Sequence, residues 1–409
     1  MKYLYNTFSY LFEVILPLLQ HISPKMKLFV SGRKQTKKLL QAKEFSGEWL
    51  WFHCASLGEF EQAVPLIEKL KSNAHKILVT FFSPSGYENK KNHKLIDLAL
   101  YLPIDTPKNA ELFISKFNIK AAFFIKYDFW ENYFKALNAK QIPVYMVSST
   151  FRSNQFYFKW YGSFFKNTLK RVTHFFVQNK KSLKVLQQNG FTNVSVSGDT
   201  RFDRVNAQLT MNNQLDFIED FIANRLCIVL GSTWGECEDA FINTINSDQN
   251  NTCYIIAPHE IKAEKIKALQ NKLKIKTSIS SKGIQPKSKV LIVDAIGYLT
   301  KIYSYADIAY VGGAMGTTGL HNILEPAVFG MPILTGPNVE KFPEAKALEN
   351  AGGLIIINND KEFNSTLKNL IEDNAKRKQM AQASVNFVQS RVGATKTIIS
   401  YLEENANFY

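Results

Sequence analysis

The sequence predicts an α/β protein made of two doubly wound halves, each a parallel sheet covered by helices. Three observations lead there. Short apolar runs alternate with amphipathic stretches through most of the chain, the pattern of strands buried on both faces between crossover helices. Residues 311–342 then place a strand, a small-residue glycine loop and a helix start in succession, which is how a parallel sheet offers backbone N–H groups to an anion. Between Arg204 and Asp216 the chain turns polar, with Asn206, Gln208, Asn212, Asn213 and Gln214, and the alternation begins again after it. A chain of 409 residues divides naturally into two domains of about 200.

Taken in order, residues 3–22 are mostly apolar and aromatic, interrupted by Asn6, Glu13 and Gln20, and Lys25, Lys27, Arg33, Lys34, Lys37 and Lys38 follow. The run is marginal for a span of about 20 apolar residues and carries a charge in its middle. Two readings stand: an aromatic-rich helix lying in a membrane interface with cations facing anionic headgroups, or a helix packed on its own domain. A secretory signal is not expected, because no small-residue cleavage site is present. In the first half, strands are expected at 49–54, 77–82, 99–102, 121–125, 144–148, 174–177 and 194–196, with helical patterns such as 62–71 and 180–188 between them. The second half gives strands at 226–230, 253–257, 290–293, 308–311, 333–335 and 354–357, and residues 364–405 read as helix.

Composition narrows the partners. A net charge of +15 implies an anionic one: nucleic acid, a phosphorylated small molecule or an anionic membrane surface. No RNA-binding aromatic platform or helix-turn-helix pattern supports nucleic acid. The four cysteines, Cys54, Cys227, Cys237 and Cys253, lack Cys-x-x-Cys spacing, which argues against zinc and a disulfide framework and for a reducing cytosol. His53, His259 and His321 have no metal-ligand spacing, so no metal site is expected. There is no P-loop, no Gly-x-Gly-x-x-Gly run after the first strand and no Gly-x-Ser-x-Gly elbow.

Several blocks carry chemistry-bearing residues. His53-Cys54-Ala55-Ser56-Leu57-Gly58-Glu59 follows a strand and opens a helix; Glu59 can accept a proton from a hydroxyl there, yet Ser56-x-x-Glu59 is equally the spacing of a capping box. Gly231-Ser232-Thr233-Trp234-Gly235-Glu236 repeats the arrangement. Its Ser232, Thr233 and neighbouring N–H groups suit a phosphate, and Thr233-x-x-Glu236 is again a capping-box spacing. Gly198 to Asp203 forms a polar loop in which Arg201 reads as a leaving-group contact or a surface cation. In the 311–342 stretch, Asn322 and Glu325 stand at i, i+3 spacing.

Together these blocks resemble the 3-deoxy-D-manno-octulosonic acid (Kdo) transferases of lipopolysaccharide biosynthesis. The family's His-Ala-x-Ser-x-Gly-Glu is similar to His53–Glu59, with Cys54 for alanine. Leu102-Pro103-Ile104-Asp105-Thr106-Pro107 matches Leu-Pro-x-Asp-x-Pro, and Gly198–Asp203 resembles Gly-x-x-Lys-Phe-Asp with Arg201 for lysine. Ser232-Thr233 match the start of a Ser-Thr-His-x-Gly-Glu block. The Val-Gly-Gly, His-Asn-x-x-Glu-Pro, Gly-x-Pro and Gly-Pro series at 311–337 is the most specific match. The chain departs from the family pattern at Lys126, where a first carboxylate belongs and Asp128 is left to take part of its role. It departs also at Ala257-Pro258-His259, which lacks an arginine before the histidine, and at Trp234, Tyr298 and Leu320.

The resemblance implies a GT-B glycosyltransferase: two Rossmann-like domains with parallel sheets facing an interdomain cleft and an N-terminal membrane-associated helix. The expected division is a membrane-associated segment at 1–40, an acceptor domain at 41–204, a donor-nucleotide domain at 205–385 and a C-terminal helix at 386–409 returning to the first domain. The implied reaction is inverting transfer of Kdo from CMP-Kdo to a lipid A precursor at the cytoplasmic face of the inner membrane, without metal or other cofactor. Glu59 is then the general base, with Arg201 and Asp128 also catalytic and Ser56 and Gly58 on the acceptor side. The donor nucleotide falls to Ser232, Thr233, Pro258, His259, Gly297, Tyr298, Leu299, Gly313, Asn322, Ile323, Leu324 and Glu325. Two other readings remain: a GT-B transferase or epimerase using a uridine nucleotide sugar, and a non-catalytic membrane protein that binds anionic lipid. Oligomeric state is not legible.

Overall fold

The structure, a computed structural model, describes residues 1–71 and 74–408. Two compact units divide the chain: Met1–Arg204 with the segment from Val392 onward, and Val205–Arg391. In the first unit the strands are β1 (Phe45–Cys54), β2 (His75–Phe81), β3 (Leu98–Tyr101), β4 (Phe117–Ile125), β5 (Val144–Ser149), β6 (His174–Val177) and β7 (Val194–Val196). They form one parallel sheet in the order β3-β2-β1-β4-β5-β6-β7. The order reverses between β1 and β4, and ligands of doubly wound sheets collect beyond the carboxyl ends of such a pair.

Apolar runs are the reason these strands lie inside. Residues 49–54 of β1 are buried almost completely, because alternate side chains enter two different apolar layers. Trp49 and Trp51 join Leu78, Phe113 and Phe124 on one face. Leu50 and Phe52 join Val79, Phe123 and Tyr145 on the other, where Ile398 and Leu402 of the Ala394–Asn405 helix complete the layer. The start of that helix is held by Asp203, whose carboxylate accepts from the N–H groups of Gly393 and Thr395 (both 2.6 Å) and from the Thr395 hydroxyl (2.7 Å).

The second unit repeats the plan with β8 (Leu226–Thr233), β9 (Thr252–Pro258), β10 (Thr277–Ile279), β11 (Val290–Ile292), β12 (Ile308–Val311), β13 (Ile333–Thr335) and β14 (Leu354–Ile356). The order is β10-β11-β9-β8-β12-β13-β14, again parallel, with its reversal between β8 and β12. β10 is absent from the sequence reading: Thr277-Ser278-Ile279 is a short, mostly polar edge strand without an apolar run. The helix expected over 364–405 is three helices, Asp360–Glu372, Asn374–Gln389 and Ala394–Asn405. Asp373 caps the second through Lys376 N–H, and Gly393 at φ 118° turns the chain before the third.

At the N-terminus, residues 3–22 are not one continuous helix. An α-helix at Lys2–Ile15 tightens into a 3-10 turn at Leu16–His21, where Pro17 sits, and Ser23 caps a third helix, Pro24–Ala42. A polar seam fixes the first helix to the first unit. Tyr5 Oη donates to Asp105 (2.6 Å), Asn6 accepts from Asn132 (3.0 Å), and Glu13 accepts from Asn109 (3.1 Å) and Lys37 (3.0 Å). The same helix leaves Tyr3, Leu4, Phe8, Leu11 and Val14 exposed. Among the basic residues expected to face headgroups, Arg33 does not. It is buried against the Phe29, Phe82 and Tyr101 rings and donates to the Phe29 and Phe82 carbonyls, and burial pulls its guanidinium down to about 9. Among the described residues, no helix is long and apolar enough to cross a membrane.

Candidate active site

In the first unit, the turn after β1 and the loop after β4 flank the strand-order reversal, and each contributes charged groups. Glu59 lies in the first turn of the Leu57–Leu70 helix, is 8% exposed, and its Oε2 accepts the Ala55 N–H at 2.5 Å. Only half of the capping box forms. Glu59 reaches back to the backbone, while the Ser56 side chain makes no capping bond among the described residues. Burial, then the neighbouring Asp128, push the Glu59 carboxyl up to about 7, against the opposing pull of Lys126 and the Ala55 and Ser56 N–H groups. A carboxylate so placed titrates where a general base is most effective. Ser56 is half-buried and Gly58 exposed beside it. Lys126, at φ 64°, enters the site where the family pattern has a carboxylate, and its cation opposes Asp128.

Arg201 is engaged within its own loop: Nη2 and Nε lie 2.8 and 2.9 Å from Asp199 Oδ2, and Asp199 also accepts from Gln62 (2.9 Å). Asp203 of the same motif caps the last helix, a structural task with no signature in the sequence.

In the second unit, the ends of β8, β9 and β12 converge. Gly231 is required: a Cβ there would stand 2.0 Å from the Tyr303 hydroxyl. Ser232 follows in the left-handed region at φ 53°. Thr233 does not cap the next helix as its spacing suggests. Trp234 is the N-cap of Gly235–Ser247, because the strand runs through Thr233. The Thr233 hydroxyl is left buried without a partner among the described residues, beside a pocket that Thr233 lines together with Trp234, Gly235, Glu238, Pro258, Glu260 and Lys265, the last two paired with each other. A buried orphan hydroxyl at a helix N-terminus suits an incoming anion.

Three rings meet at this edge. Trp234 stacks on His259 (4.5 Å between centroids, 24°), His259 lies 4.6 Å from His321, and the Trp234 indole N–H donates to His321 Nε2 (3.1 Å). The hydrogen of the neutral His321 ring therefore sits on Nδ1. Burial, reinforced by His259, lowers His321 to about 4, and burial also lowers His259. Sequence separation hid this cluster. Among the described residues no group of three His, Cys, Asp or Glu side chains is arranged to hold a metal ion.

The other donor-side residues divide. Gly313, at φ 94°, permits the loop after β12 to pass Gly319, whose carbonyl a Cβ would meet at 2.1 Å. Glu325 accepts from Asn322 Nδ2 (3.1 Å) and from the Thr300 hydroxyl (3.0 Å). The turn of Gly297 (φ 96°), Tyr298 and Leu299 is thereby tied to Glu325 through Thr300, a residue the sequence reading did not single out. Ile323 and Leu324 lie between Asn322 and Glu325. Their side chains are buried, so these two positions can present only backbone to a ligand. Leu320, in place of a glycine, is likewise buried.

Residues 21–204 match the family model described as 3-deoxy-D-manno-octulosonic-acid transferase (kdotransferase). Through that match the chain is similar to the Kdo transferase family. It is 27% identical over 369 residues to a 3-deoxy-D-manno-octulosonic acid transferase of Rickettsia typhi, covering 86% of this chain and 78% of that protein. It is 26% identical over 382 residues to a bifunctional glycosyltransferase/methyltransferase of Fusobacterium nucleatum, covering 83% of this chain but only 58% of that longer protein. The Kdo transferases are glycosyltransferases, and this chain is an enzyme of that class. In architecture it is similar to the UDP-GlcNAc 2-epimerase of Neisseria meningitidis (TM-score 0.64, 18% identity, 88% of this chain and 100% of that one). That likeness concerns the fold alone, the GT-B arrangement of two parallel α/β units.

Proposed function

We propose that the protein transfers Kdo from CMP-Kdo to a lipid A precursor, with inversion, at the cytoplasmic face of the inner membrane. The observation that carries this reading is Glu59: a buried carboxylate pushed up to about 7, at the strand-order reversal, in the stretch that matches the Kdo transferase family model. Glu59 takes the proton of a primary hydroxyl on the acceptor. That oxygen bonds to the anomeric carbon, and the bond from that carbon to the CMP phosphate oxygen breaks, leaving the electron pair on the phosphate. Charge on the departing phosphate meets the Thr233 hydroxyl and the N–H groups at the start of the Gly235–Ser247 helix. Asn322, Glu325 and the Gly297–Leu299 turn are assigned to the nucleotide.

Membrane association rests on the exposed apolar face of the Lys2–Ile15 helix and on Lys25, Lys27, Lys34 and Lys38, all exposed; such a helix lies in the interface while cations attract anionic lipid. Incubation with CMP-Kdo and a lipid A precursor, read by mass spectrometry, tests donor, acceptor and sugar count together. Glu59→Gln is expected to lower turnover by about 10²- to 10⁴-fold with CMP affinity retained, and full activity in that variant would remove the assignment. Glu325→Ala is expected to weaken CMP binding in calorimetry. Tighter binding of UDP than CMP would favour a uridine nucleotide sugar instead.

A further inference from the structure

Beside Glu59 stands a cation that the reaction above does not use. Lys126 follows β4 directly, and its backbone is held in an uncommon shape. Its φ of 64° lies in the left-handed region that a lysine seldom adopts, while its N–H donates to the Val147 carbonyl on β5 at 2.8 Å. Strained backbone held in this way concentrates at sites that handle ligands. The side chain is half-buried, and among the described residues its ammonium makes no hydrogen bond and no ion pair. The two carboxylates nearby are turned to other groups. Glu59 Oε2 accepts the Ala55 N–H, and Asp128 Oδ2 lies 3.3 Å from His53 Nε2. Lys126 still acts on Glu59, as the cation among the groups that bear on it most. A half-buried ammonium near two carboxylates and paired with neither is placed for an anion that arrives from outside.

The chemistry of the transfer identifies that anion. In Kdo, a 2-keto sugar acid, the anomeric carbon itself carries the carboxylate. A base lies about 3 Å from the hydroxyl oxygen it deprotonates, and that oxygen bonds to the anomeric carbon. The carboxylate carbon therefore comes to stand two bonds beyond the oxygen that Glu59 activates. Without a counter-charge, this second carboxylate would hold Glu59 protonated, on top of the push that burial and Asp128 already supply. We propose that Lys126 binds the carboxylate of the transferred sugar and so selects a sugar acid as the donor. The same contact offsets the incoming negative charge, so that Glu59 stays able to ionise. Lys126 is a substrate-binding residue, and no proton passes through it. The proposal rests on Glu59 being the base, which brings the reacting carbon to this place, and its test separates the two.

Calorimetry on the full chain without acceptor, at pH 9, above the Glu59 midpoint of about 7, compares CMP-Kdo with CMP, which lacks the sugar carboxylate. Lys126→Asn removes the cation and keeps a residue that tolerates left-handed backbone. It is expected to weaken CMP-Kdo binding by about 10- to 100-fold and to leave CMP binding unchanged. Lys126→Arg is expected to recover most of the loss. An unchanged CMP-Kdo affinity, or an equal loss for CMP, overturns the assignment. A rise confined to the acceptor's KM in transfer assays also overturns it, giving the cation to an anionic group of the acceptor. So does a shifted acid limb of the rate profile with CMP-Kdo affinity intact, which would leave Lys126 acting on Glu59 alone. Full transfer activity in Glu59→Gln, together with the selective loss in Lys126→Asn, upholds the carboxylate contact and removes Glu59 as the base. Should Lys126→Asn fail to fold, Lys126→Gly, free of the backbone strain, carries the same comparison.

Discussion

Glu59 bears a stability cost that follows from the burial of its carboxyl. Its folded value of about 7 lies above the ordinary glutamate value of 4.5, so the folded state binds the proton more tightly than the unfolded chain. Stability is therefore retained below pH 4.5 and declines as pH rises toward 7, by about 3 kcal/mol if the whole shift is expressed. Glu59→Gln removes the ionisation and keeps much of the shape. It is expected to raise the melting temperature at pH 8 by several degrees and to leave it nearly unchanged at pH 4, measured by calorimetry at both values. A variant less stable than the parent at pH 8 would show that Glu59 serves chiefly as the backward-reaching half of the capping box. The sequence alone could not choose between those roles, because the spacing from Ser56 to Glu59 is the same in both. Burial and the approach of Asp128, from the loop after β4, are what the fold adds to that spacing.

At the level of elements, strands and the loops that follow them were legible because apolar runs and glycines are local signals. The loops after β1, β8 and β12 were all found in this way. Contacts between distant segments were not. Nothing local announces that His259 and His321 share a stack with Trp234, that Thr300 binds Glu325, or that His53 meets Thr80 and Trp130. The short polar β10 escaped for the opposite reason, since an edge strand needs no apolar run. The Ala394–Asn405 helix illustrates a long-range device: Asp203 supplies three acceptor contacts to its start, while Ile398 and Leu402 enter the first unit's core. Asp203→Ala is expected to cost about 2 kcal/mol and to expose that helix preferentially to hydrogen exchange. Uniform loss of protection across the first unit would mean the helix and sheet unfold together.

For the whole molecule the salient quantity is charge. A surplus of +15 has no bearing on which fold forms, but it biases every encounter with an anionic surface. Near the N-terminus it coincides with exposed apolar side chains: Lys25, Lys27, Lys34 and Lys38 follow a helix that presents Leu4, Phe8, Leu11 and Val14 outward. The polar seam of Tyr5, Asn6 and Glu13 holds that helix to the first unit, so its apolar face is a fixed part of the surface. Each lysine close to an anionic bilayer contributes about 1 kcal/mol at physiological salt, and the Debye length falls from about 10 Å at 0.1 M to 3 Å at 1 M. Binding to vesicles containing phosphatidylglycerol is therefore expected to weaken at least tenfold between those salt concentrations in sedimentation. Phe8→Ser with Leu11→Ser is expected to weaken binding at both concentrations, because apolar insertion is not screened. Binding insensitive both to salt and to these substitutions would place the membrane contact elsewhere on the protein and leave the exposed helix face without a lipid role.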